Sequence, residues 1–595
     1  MRSVTVLCTF CLAYAQTVEW PTYGNDAGGS RYARITQVHT GNVAKLKQAW
    51  TYHTGAVDRA GRLKEKIAFE ATPIFIDGTL FVITPLNRVI ALDPETGKEK
   101  WSYDPDINVT RSYSEVTSRG VAYWRAGKRI FFGTIDARVI GLDAQTGKKT
   151  TEIDLRDGFR IRDEGDYQVT SPPAIVGDVV VVGSSIGDNR ATDIERGTVR
   201  AFDARTGKLL WSWDPLASLP KTGGGNAWGV MSADEKLGLV YVPTGSAAPD
   251  FFGGERKGDN RYANSVTALK ASTGEVAWSF QVVHHDLWDY DVASQPILID
   301  YKRTPAVVVT TKMGLVYVLD RKTGKPLSPV EERPVPKTDI AGEDASPTQP
   351  FPAAIEPLAP STVKPYGLTE VDRKWCEDQL KNYRAEGLFT PPSLQGTLAV
   401  PGNAGGVAWG GPAYDEKNGL LIVNTNRFAT ILKLIPRDQV EAWQKNTGEA
   451  RFSYEFGRQQ GTPYAMVRAP FITPGRLPCT EPPWGALTAL DLNTGKKRWE
   501  TPLGSWQGHD LGSPSLGGPL VTAGGLTFIA ASADAHLRAF DSATGKVVWQ
   551  VELPAAAQAT PMTFQWKGKQ YIVISVGGHA KLKTKLGDSV IAFSL

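Results

Sequence analysis

One short turn recurs along this chain and constrains its fold more than any other feature. Residues 201–211 read Ala-Phe-Asp-Ala-Arg-Thr-Gly-Lys-Leu-Leu-Trp, an apolar strand that enters Asp-x-x-Thr-Gly and returns to a tryptophan. The Asp side chain can accept hydrogen bonds from the turn backbone, and Gly can adopt a positive φ. Eight copies, one of them degraded, follow one another at a period of commonly about 50 residues. Their turn glycines are Gly97, Gly147, Gly207, Gly274, Gly324, Gly419, Gly495 and Gly545.

A pair of alternating strands precedes most copies, which indicates a four-stranded unit. Residues 73–82, Pro-Ile-Phe-Ile-Asp-Gly-Thr-Leu-Phe-Val, read as two strands joined by an Asp-Gly hairpin turn. With 60 Gly, 39 Pro and 17 Trp, the composition is typical of an all-β protein with short strands. Eight such units predict an eight-bladed β-propeller in which the tryptophans pack between neighbouring sheets. A solenoid is the structural alternative, although the sequence does not show the terminal repeats with a polar outer face that a solenoid requires.

Both ends of the repeat array and two stretches inside it bear on the architecture. Residues 49–52 and 590–593 read as strands, and we expect them to pair in one blade and close the ring. The stretch from about 329 to 400 is rich in Pro, Ala and polar residues, with a helix-like patch at 370–386. We interpret it as a long inserted loop, of the kind that often acts as a lid. A second irregular insert is predicted at about 428 to 481.

The first residues read as a secretion signal. Arg2 supplies a positive charge, residues 4–12 are mostly apolar, and Ala-Tyr-Ala at 13–15 fits the small-x-small cleavage rule. This predicts a signal peptide at residues 1–15 and a propeller domain at residues 16–595. The protein is therefore expected to be periplasmic or secreted. A buried N-terminal strand is the alternative.

The charge balance and the cysteines bound the partners. A net charge of +4 on 595 residues gives no reason to expect nucleic acid or an anionic membrane as a partner. No later stretch approaches the roughly 18 uninterrupted apolar residues of a membrane span. Beyond the signal, Cys376 and Cys479 form an even pair, which in an exported protein predicts one disulfide. The sequence contains no Cys-x-x-Cys-His, so covalent c-type haem is not expected.

One stretch concentrates residues that carry chemistry. Residues 283–291 read Val-His-His-Asp-Leu-Trp-Asp-Tyr-Asp, which places two histidines and three acids among aromatic and aliphatic side chains. Acids held among apolar residues are expected to have raised pKa values or a cation partner. The stretch therefore indicates a general base, a metal ligand or both. The structural alternative is a tight turn capped by Asp, with packed histidines.

Several short motifs accompany the repeats. They are Thr170-Ser171-Pro172-Pro173, His284-His285-Asp286-Leu287-Trp288-Asp289, Phe389-Thr390-Pro391-Pro392-Ser393, Lys433-Leu434-Ile435-Pro436-Arg437, Ala559-Thr560-Pro561-Met562-Thr563 and Val576-Gly577-Gly578-His579. With the repeats, they resemble pyrroloquinoline quinone (PQQ) dependent dehydrogenases over nearly the whole mature chain. The chain looks most similar to the propeller part of membrane-bound glucose, quinate and shikimate dehydrogenases. Those enzymes carry an N-terminal transmembrane domain, whereas a signal peptide is predicted here.

The resemblance assigns roles at the centre of the site. Asp289 is the expected catalytic base, which takes the proton of the substrate hydroxyl as hydride passes to the quinone C5. Trp228 resembles the residue whose indole forms a flat floor beneath the quinone. Lys312 resembles the family lysine that contacts the ortho-quinone oxygens and stabilises the charge that develops on reduction. Asp534 matches an acid near that lysine, and Asn424 matches an amide near the quinone.

Further positions align with contacts to the cofactor carboxylates and ring. An arginine suits this task because PQQ is a tricarboxylate and a guanidinium binds carboxylate bidentately. The positions are Glu70, Arg119, Thr170 and Ser185.

The resemblance also implies a divalent cation. Asp188 and Asn189 stand at the metal position of the family, and Asp289 is expected to contribute. Hard oxygen ligands suit Ca²⁺, which would polarise the quinone carbonyl as a Lewis acid. Asp291 raises a lanthanide as the alternative, because an acid two residues after the base accompanies lanthanide use in the alcohol-oxidising branch. Ser246 stands where alcohol-oxidising relatives use an amide ligand.

These expectations describe an exported quinoprotein dehydrogenase that oxidises an alcohol or sugar hydroxyl, of the aldose or polyol type. Electrons are expected to leave to a separate acceptor, a quinone or a cytochrome. Leu86 stands where the glucose enzyme has a histidine near its substrate pocket, which argues against glucose itself. Two alternatives stay open, a non-catalytic propeller used as a binding scaffold and a lanthanide-dependent alcohol dehydrogenase. Retained charges argue against the scaffold, because burying charge without a function is costly. The charged residues are Asp289, Lys312, Arg119 and Asp534.

Overall fold

The computed structural model describes residues 17–156, 166–447 and 454–595, which are predominantly β-sheet. These residues form eight sheets of three to five strands in chain order, together with three accessory sheets. The all-β class is thereby confirmed. The arrangement of the eight sheets as blades of one closed ring stays a prediction, as does the domain at 16–595. The signal peptide predicted at 1–15 lies outside the described residues.

Within each of the eight sheets, strands that are neighbours in sequence pair antiparallel, and in the seventh sheet Tyr32–Ala33 adds a parallel edge. The first four sheets contain Ile74–Ile76, Thr79–Ile83, Val89–Leu92 and Glu99–Tyr103; Ala122–Trp124, Arg129–Gly133, Arg138–Asp143 and Lys149–Asp154; Ala174–Val176, Val179–Val182, Val199–Asp203 and Leu209–Trp213; and Ser232–Asp234, Leu239–Pro243, Ser265–Lys270 and Val276–Gln281. The last four contain Ile297–Tyr301, Thr304–Thr310 and Val316–Asp320; Ala413–Asp415, Leu420–Asn426, Gly485–Asp491 and Lys496–Pro502; Leu520–Thr522, Leu526–Ile529, His536–Asp541 and Val547–Glu552; and Met562–Trp566, Lys569–Val576, Ser589–Ser594 and Lys47–His53.

The two predicted inserts are more ordered than the sequence suggested. The first was expected to be a loop with a helical patch, and it contains a β-hairpin and a helix capped by the Thr369 side chain. The second was expected to be irregular, and its strands combine with one from the first insert into a four-stranded sheet. The elements are Val330–Pro334, Thr348–Pro352, helix Glu370–Leu380, Thr397–Ala399, Thr430–Pro436, helix Val440–Thr447, Glu455–Gly457 and Tyr464–Pro470.

A disulfide joins the two inserts. Cys376 on the helix of the first insert is bonded to Cys479, which follows the last strand of the second, and both residues are fully buried. The predicted pairing is confirmed. Minor elements elsewhere are the strand pair Tyr167–Gln168 and Ser185–Ile186, the short helix Ala56–Arg59, and 3₁₀ turns at Val43–Lys45, Gly61–Glu65, Arg437–Gln439 and Ala580–Leu582.

The repeat turns adopt the geometry that their residues predict. All eight turn glycines have φ between 68° and 74°. In the first turn, Asp93 Oδ1 accepts hydrogen bonds from the backbone N–H of Glu95 and Thr96 and from the Thr96 hydroxyl. Gly97 N–H donates to the Asp93 carbonyl at 2.9 Å. Local hydrogen bonding therefore fixes the turn before any packing between sheets is considered.

One of the eight copies has a different place in the fold. Seven turn glycines follow the third strand of a sheet, whereas Gly419 lies between the first and second strands of the sixth sheet. The third-strand turn of that same sheet carries Gly495. The eighth sheet has no such turn, because its third and fourth strands come from the two ends of the chain. The interpretation of Gly419 as a repeat turn was therefore wrong: Asp415 and Gly419 form an ordinary hairpin with similar residues.

Tryptophans connect successive sheets. The indole of Trp101 in the first sheet covers Gly147 of the next turn, and its Nε1 donates to the Ala144 carbonyl at 3.2 Å. Trp211 and Trp278 contact the following turns in the same way, with Nε1 donating to Ala271 O at 2.7 Å and Arg321 O at 3.1 Å. The predicted packing of tryptophan between sheets is confirmed. Any side chain on the turn glycine would collide with the indole.

We expect Gly324→Ala to be more destabilising than Gly238→Ala. Both residues have positive φ, 69° and 64°, which costs an Ala about 1–2 kcal/mol. A Cβ at Gly324 would lie 2.4 Å from the Trp278 ring, whereas one at Gly238 would have nothing within 4 Å. Overpacking should add about 1–3 kcal/mol to the loss at Gly324 only. Denaturant unfolding followed by circular dichroism measures both variants, and equal losses would contradict the packing role of Trp278.

The predicted strands at the chain ends pair as expected. Trp50, Thr51 and Tyr52 face Ala592, Ile591 and Val590 in register. The eighth sheet therefore consists of one strand from the N-terminal part of the chain and three from the C-terminal part.

Sheet geometry also places the predicted site residues. The segment that enters a first strand and the segment that leaves the second lie at the same end of a sheet, because the two strands are antiparallel. Arg119, Trp228 and Asp289 precede the first strands of the second, fourth and fifth sheets. Asp188 and Lys312 follow the second strands of the third and fifth. The first strands of the second, third and fourth sheets contact one another in succession. All five of these side chains line one cavity, so they are gathered at one end of the sheets.

Candidate active site

A cavity of about 870 Å³ lies at this end of the sheets. Most of the residues predicted for catalysis, cofactor and metal line it. Charged and polar side chains dominate the remaining wall. The predicted residues in its lining are Glu70, Arg119, Ser185, Asp188, Asn189, Trp228, Asp289 and Lys312.

An ion triad forms the centre of the cavity. Lys312 Nζ lies 2.7 Å from Asp289 Oδ1 and 2.9 Å from Asp291 Oδ2, and it donates to the Asp289 carbonyl at 2.8 Å. The three side chains are 5% to 13% exposed. Gly405 (φ 85°) allows the backbone to pass close to the lysine, since a Cβ there would lie 2.6 Å from Lys312 Cγ. The lysine is thus held in one position between two carboxylates.

Arg468 is a second cation on Asp289, and sequence reasoning missed it. Arg468 Nη1 lies 3.0 Å from Asp289 Oδ2, and its Nη2 lies 2.8 Å from Glu455 Oε1. The residue follows Met466 and Val467 in a strand of the inserted sheet, where its buried neighbours are apolar. An arginine that continues a buried apolar run was the only signal available in the sequence. Both oxygens of Asp289 are therefore paired with cations.

Burial and charge set the proton affinities in the triad. Burial raises the pKa of Asp289 to about 7, the Asp291 charge acts in the same direction, and Lys312 and Arg468 oppose the increase. For Asp291, burial also acts upward, but Lys312 and hydrogen bonds outweigh it and lower the pKa. The two carboxylates raise the pKa of Lys312 against the effect of burial, so the lysine stays charged. Two adjacent acids with divergent pKa values are typical of a catalytic site.

Two indoles and an arginine form an aromatic wall next to the triad. Trp228 Nε1 donates to Asp291 Oδ2 at 3.1 Å, and Lys312 Nζ lies 5.8 Å from the Trp228 ring centroid. The Arg119 guanidinium lies 5.1 Å from the Trp228 ring and 4.9 Å from the Trp409 ring. The wall presents flat aromatic surface and a positive charge side by side.

The arginine is held by residues that were predicted with it. Arg119 Nη2 lies 3.0 Å from Glu70 Oε2, and Nη1 donates to Thr170 Oγ1 at 2.9 Å. His579 Nε2 lies 3.5 Å from Glu70 Oε1. Burial would raise the pKa of Glu70, but Arg119 and His579 lower it below its usual value. Thr170 acts here as a support for Arg119 and does not line the main cavity.

The predicted cation position lies in the lining of the same cavity. Asp188 lines the cavity, and its pKa is raised well above the usual value by burial and then by the charges of Asp289 and Asp291. Asn189 also lines the cavity, and its Oδ1 is buried without a hydrogen-bond partner. Across the described ranges, no three acidic, imidazole or thiol side chains already converge as a metal site. The protein alone supplies an incomplete set of oxygen ligands.

Two predicted residues lie away from the cavity. Asp534 forms an ion pair with Arg538 at 2.5 Å and accepts hydrogen bonds from the Ser532 hydroxyl and from Ser505 N–H. The acids that pair with Lys312 are Asp289 and Asp291 instead. The Asn424 amide nitrogen donates to Ser515 Oγ at 3.0 Å, and the residue does not line the cavity. The structure therefore brings neither into the group, and we leave both out of the proposed site.

The other residues of the 283–291 stretch are structural. Asp286 accepts hydrogen bonds from the Ser246 hydroxyl and from the backbone of Trp288 and Tyr290. His285 Nε2 lies 2.8 Å from Glu343 Oε1 in a fully buried pair. Ser246 N–H donates to Asp291 Oδ1 at 2.8 Å. Both carboxylate oxygens of Asp291 thus already accept hydrogen bonds, which leaves Asp291 less able to bind a metal ion.

Comparison with known proteins decides which family has this geometry. Residues 20–572 match the family model described as PQQ: Glucose/ethanol/alcohol dehydrogenase, beta-propeller domain. This chain belongs to the PQQ-dependent dehydrogenase family. Quinoprotein dehydrogenases with similar sequences include the quinoprotein glucose dehydrogenase of Escherichia coli, 38% identical over 97% of this chain and 78% of that protein. The quinate/shikimate dehydrogenase (quinone) of Acinetobacter baylyi is 36% identical over 97% and 79%.

Solved quinoproteins have the same fold as this chain. The quinohemoprotein alcohol dehydrogenase from Comamonas testosteroni superposes with a TM-score of 0.72 at 26% identity, covering 98% of this chain and 81% of that one. A europium-containing methanol dehydrogenase superposes with a TM-score of 0.73 at 25% identity, covering 97% and 98%. Throughout the ranges that the structure describes, this quinoprotein has no helix that is both long and apolar enough to traverse a bilayer.

The cavity of this quinoprotein fits PQQ, a planar tricarboxylate. Trp228 and Trp409 offer flat surfaces for a planar ring system, and Arg119 offers a cation for carboxylate. Buried polar atoms in the cavity lining lack partners, as a polar ligand would require. In addition to Asn189 Oδ1, these atoms include Arg119 Nε, Asn226 Oδ1 and His579 Nδ1.

Proposed function

We propose that this enzyme oxidises a hydroxyl group of a sugar or polyol, with Asp289 as the general base and PQQ as the oxidant. The observation that carries the proposal is the Asp289–Lys312 pair at 2.7 Å beside the Trp228 ring in an open cavity. A carboxylate with a pKa of about 7 can accept a proton from a bound hydroxyl near neutral pH. A non-catalytic scaffold has no use for this buried charge.

Each residue of the site has a separate role in the proposed reaction. Asp289 accepts the hydroxyl proton, and Arg468 and Lys312 fix the orientation of its carboxylate. Lys312 retains its proton and stabilises negative charge that develops beside it. Trp228 supports the ring of the cofactor, and Arg119, held by Glu70, binds its carboxylate. PQQ supplies the hydride acceptor when it is bound.

The wall beyond Asp289 supports a polyhydroxylated substrate. Many of its side chains are charged or amide-bearing and can form hydrogen bonds with several hydroxyls of one substrate. The residues are Glu115, Asp166, Arg190, Asn403, Glu455, Arg458 and Lys581. Phe456, Leu516 and Leu582 add apolar surface to the same cavity. The sugar and polyol class, including aldoses, follows from this wall and from the named substrates of the relatives.

A calcium ion is the proposed metal. Asp188, Asn189 and Asp289 would provide hard oxygen ligands, which suit Ca²⁺. Each carboxylate oxygen of Asp291 already accepts two hydrogen bonds, whereas each oxygen of Asp289 is paired with one cation, so Asp291 has less capacity for an additional ligand bond. A trivalent lanthanide benefits most from that extra carboxylate, which favours calcium over the lanthanide-dependent alternative.

Export and a separate electron acceptor complete the proposal. The buried Cys376–Cys479 disulfide supports an oxidising compartment, such as the periplasm or the extracellular space. The sequence has no covalent haem motif, so electrons would pass to a separate quinone or cytochrome.

Reconstitution tests the function. Purified protein is incubated with PQQ and Ca²⁺, and the reduction of an artificial dye is followed with a panel of aldoses, polyols, quinate and simple alcohols. We expect dye reduction that requires PQQ and is faster with polyhydroxylated substrates than with ethanol. If PQQ causes no absorbance change and no substrate reduces the dye, the proposed activity is wrong and the non-catalytic scaffold is the interpretation that remains. Faster ethanol oxidation with a lanthanide than with Ca²⁺ would favour the alcohol dehydrogenase instead.

A further inference from the structure

Asp250 is an acid that none of the roles above explains. Its side chain is fully buried, and both of its carboxylate oxygens lack a hydrogen-bond partner. In the described part of the chain it also has no ion pair within 4.0 Å. A buried carboxylate without compensation is strongly unfavourable, and protonation would still leave a buried hydroxyl without an acceptor. The position therefore requires a ligand that binds to oxygen.

The charges around Asp250 indicate which kind of ligand fits. Burial raises the pKa of Asp250 well above its usual value, and the charges of Asp188, Asp289 and Asp291 act in the same direction. Gln459 connects the segment of Asp250 with that of Asp188, because its backbone N–H donates to the Asn189 carbonyl at 3.1 Å and its side-chain oxygen accepts from Phe251 N–H at 3.2 Å. Asp250 and Asp188 therefore lie on adjacent segments, and Asp188 faces the main cavity. The nearby Arg256 directs its donors to Asn260 and to backbone carbonyls, and it leaves Asp250 unpaired. A cation is the ligand that compensates several carboxylates at once.

We propose that Asp250 and Asp188 together hold the divalent cation of the site, with the unpartnered Asn189 Oδ1 as a further oxygen ligand. This inference rests on the proposed function, and it adds a ligand to the cation position predicted there. Two carboxylates match the charge of Ca²⁺, and the cofactor or solvent would complete the oxygen shell. Asp286 is equally buried in the same acidic group, but the Ser246 hydroxyl and two backbone N–H groups already satisfy it.

Thermal unfolding of Asp250→Asn and Asp286→Asn tests this assignment. In EDTA, Asp250→Asn should unfold at no lower a temperature than wild type, because it replaces one buried side chain without hydrogen-bond partners by another and removes any residual charge from the acidic group. Asp286→Asn should unfold at a lower temperature, because it disrupts satisfied hydrogen bonds. Added Ca²⁺ should raise the unfolding temperature of wild type, as any ligand of the native state does, and should raise that of Asp250→Asn far less.

Calorimetric titration with Ca²⁺, with and without PQQ, gives a second readout. We expect Asp250→Asn to bind Ca²⁺ about 10-fold to 100-fold more weakly than wild type, and Asp286→Asn to bind it with unchanged affinity. Equal affinities of Asp250→Asn and wild type overturn the inference, as does a lower unfolding temperature of Asp250→Asn in EDTA. Absence of Ca²⁺ binding to wild type under both conditions overturns it too. Dye reduction by wild type reports on the proposed function separately, so the two can fail independently.

Discussion

Asp289→Asn should abolish turnover while cofactor binding is retained. The substitution keeps the shape of the side chain and removes the proton acceptor, and general base catalysis typically contributes about 10²–10⁴-fold to the rate. Asn can still accept a hydrogen bond from Lys312, and Arg468 keeps its pairing with Glu455. The aromatic wall and Arg119 are unaffected, so the cofactor should bind with similar affinity.

Two measurements on the reconstituted enzyme separate these effects. Steady-state dye reduction gives kcat, and an absorbance titration with PQQ gives the affinity for the cofactor. Asp300→Asn is the matched control, because Asp300 is an exposed acid on the first strand of the same sheet. It should behave as wild type in both assays. Turnover of Asp289→Asn within a fewfold of wild type would show that another group is the base.

Lys312→Met should reduce both activity and stability. Removal of the lysine leaves Asp289 and Asp291 buried next to each other, with Arg468 as the remaining cation on Asp289 and none on Asp291. Breaking a buried ion pair in this way typically costs about 3–5 kcal/mol. Activity should decrease as well, because the cation that lies between Asp289 and the Trp228 ring no longer stabilises charge that develops beside it.

A second substitution distinguishes the electrostatic effect from a packing defect. In Lys312→Met with Asp291→Asn, the uncompensated carboxylate is gone, so part of the lost stability should return while activity stays low. Lys322→Met is the control, since Lys322 is exposed on the turn that follows the third strand of the same sheet. Chemical denaturation measures all three variants. If the double variant were less stable than Lys312→Met, charge repulsion between the two acids could not explain the loss.

The repeat was predictable because its geometry is local. Asp93 and Gly97 lie four residues apart, and their hydrogen bonds and φ follow from residue type alone. The hairpin at Asp415 and Gly419 uses the same residues, so local reasoning could not separate it from a true repeat turn. The structure of the inserts was harder to predict, because Thr397–Ala399 pairs with Thr430–Pro436 and two strands of another sheet lie between them in the sequence.

The site residues fall into the same two groups, those whose position follows from local repeat geometry and those whose position depends on distant parts of the chain. Four site residues precede a first strand or follow a second strand, so the antiparallel pairing of those strands places them at the same end of the sheets. They are Asp289, Lys312, Trp228 and Arg119. Arg468 comes from the inserted sheet, and no repeat rule places it. Asp534 matched a family acid by its position in sequence, yet the local Arg538 captures its carboxylate in this chain.

The pairing of Lys47–His53 with Ser589–Ser594 has a consequence for how this protein is made. During synthesis from the N-terminus, Trp50 lacks its partner strand until residues 589–594 have been made. During that time, an edge strand with a large aromatic residue is exposed, which is a hazard for aggregation. The many contacts between distant parts of the chain also slow folding, since loop closure must precede them. The eighth sheet therefore cannot be completed before residues 589–594 have been synthesised.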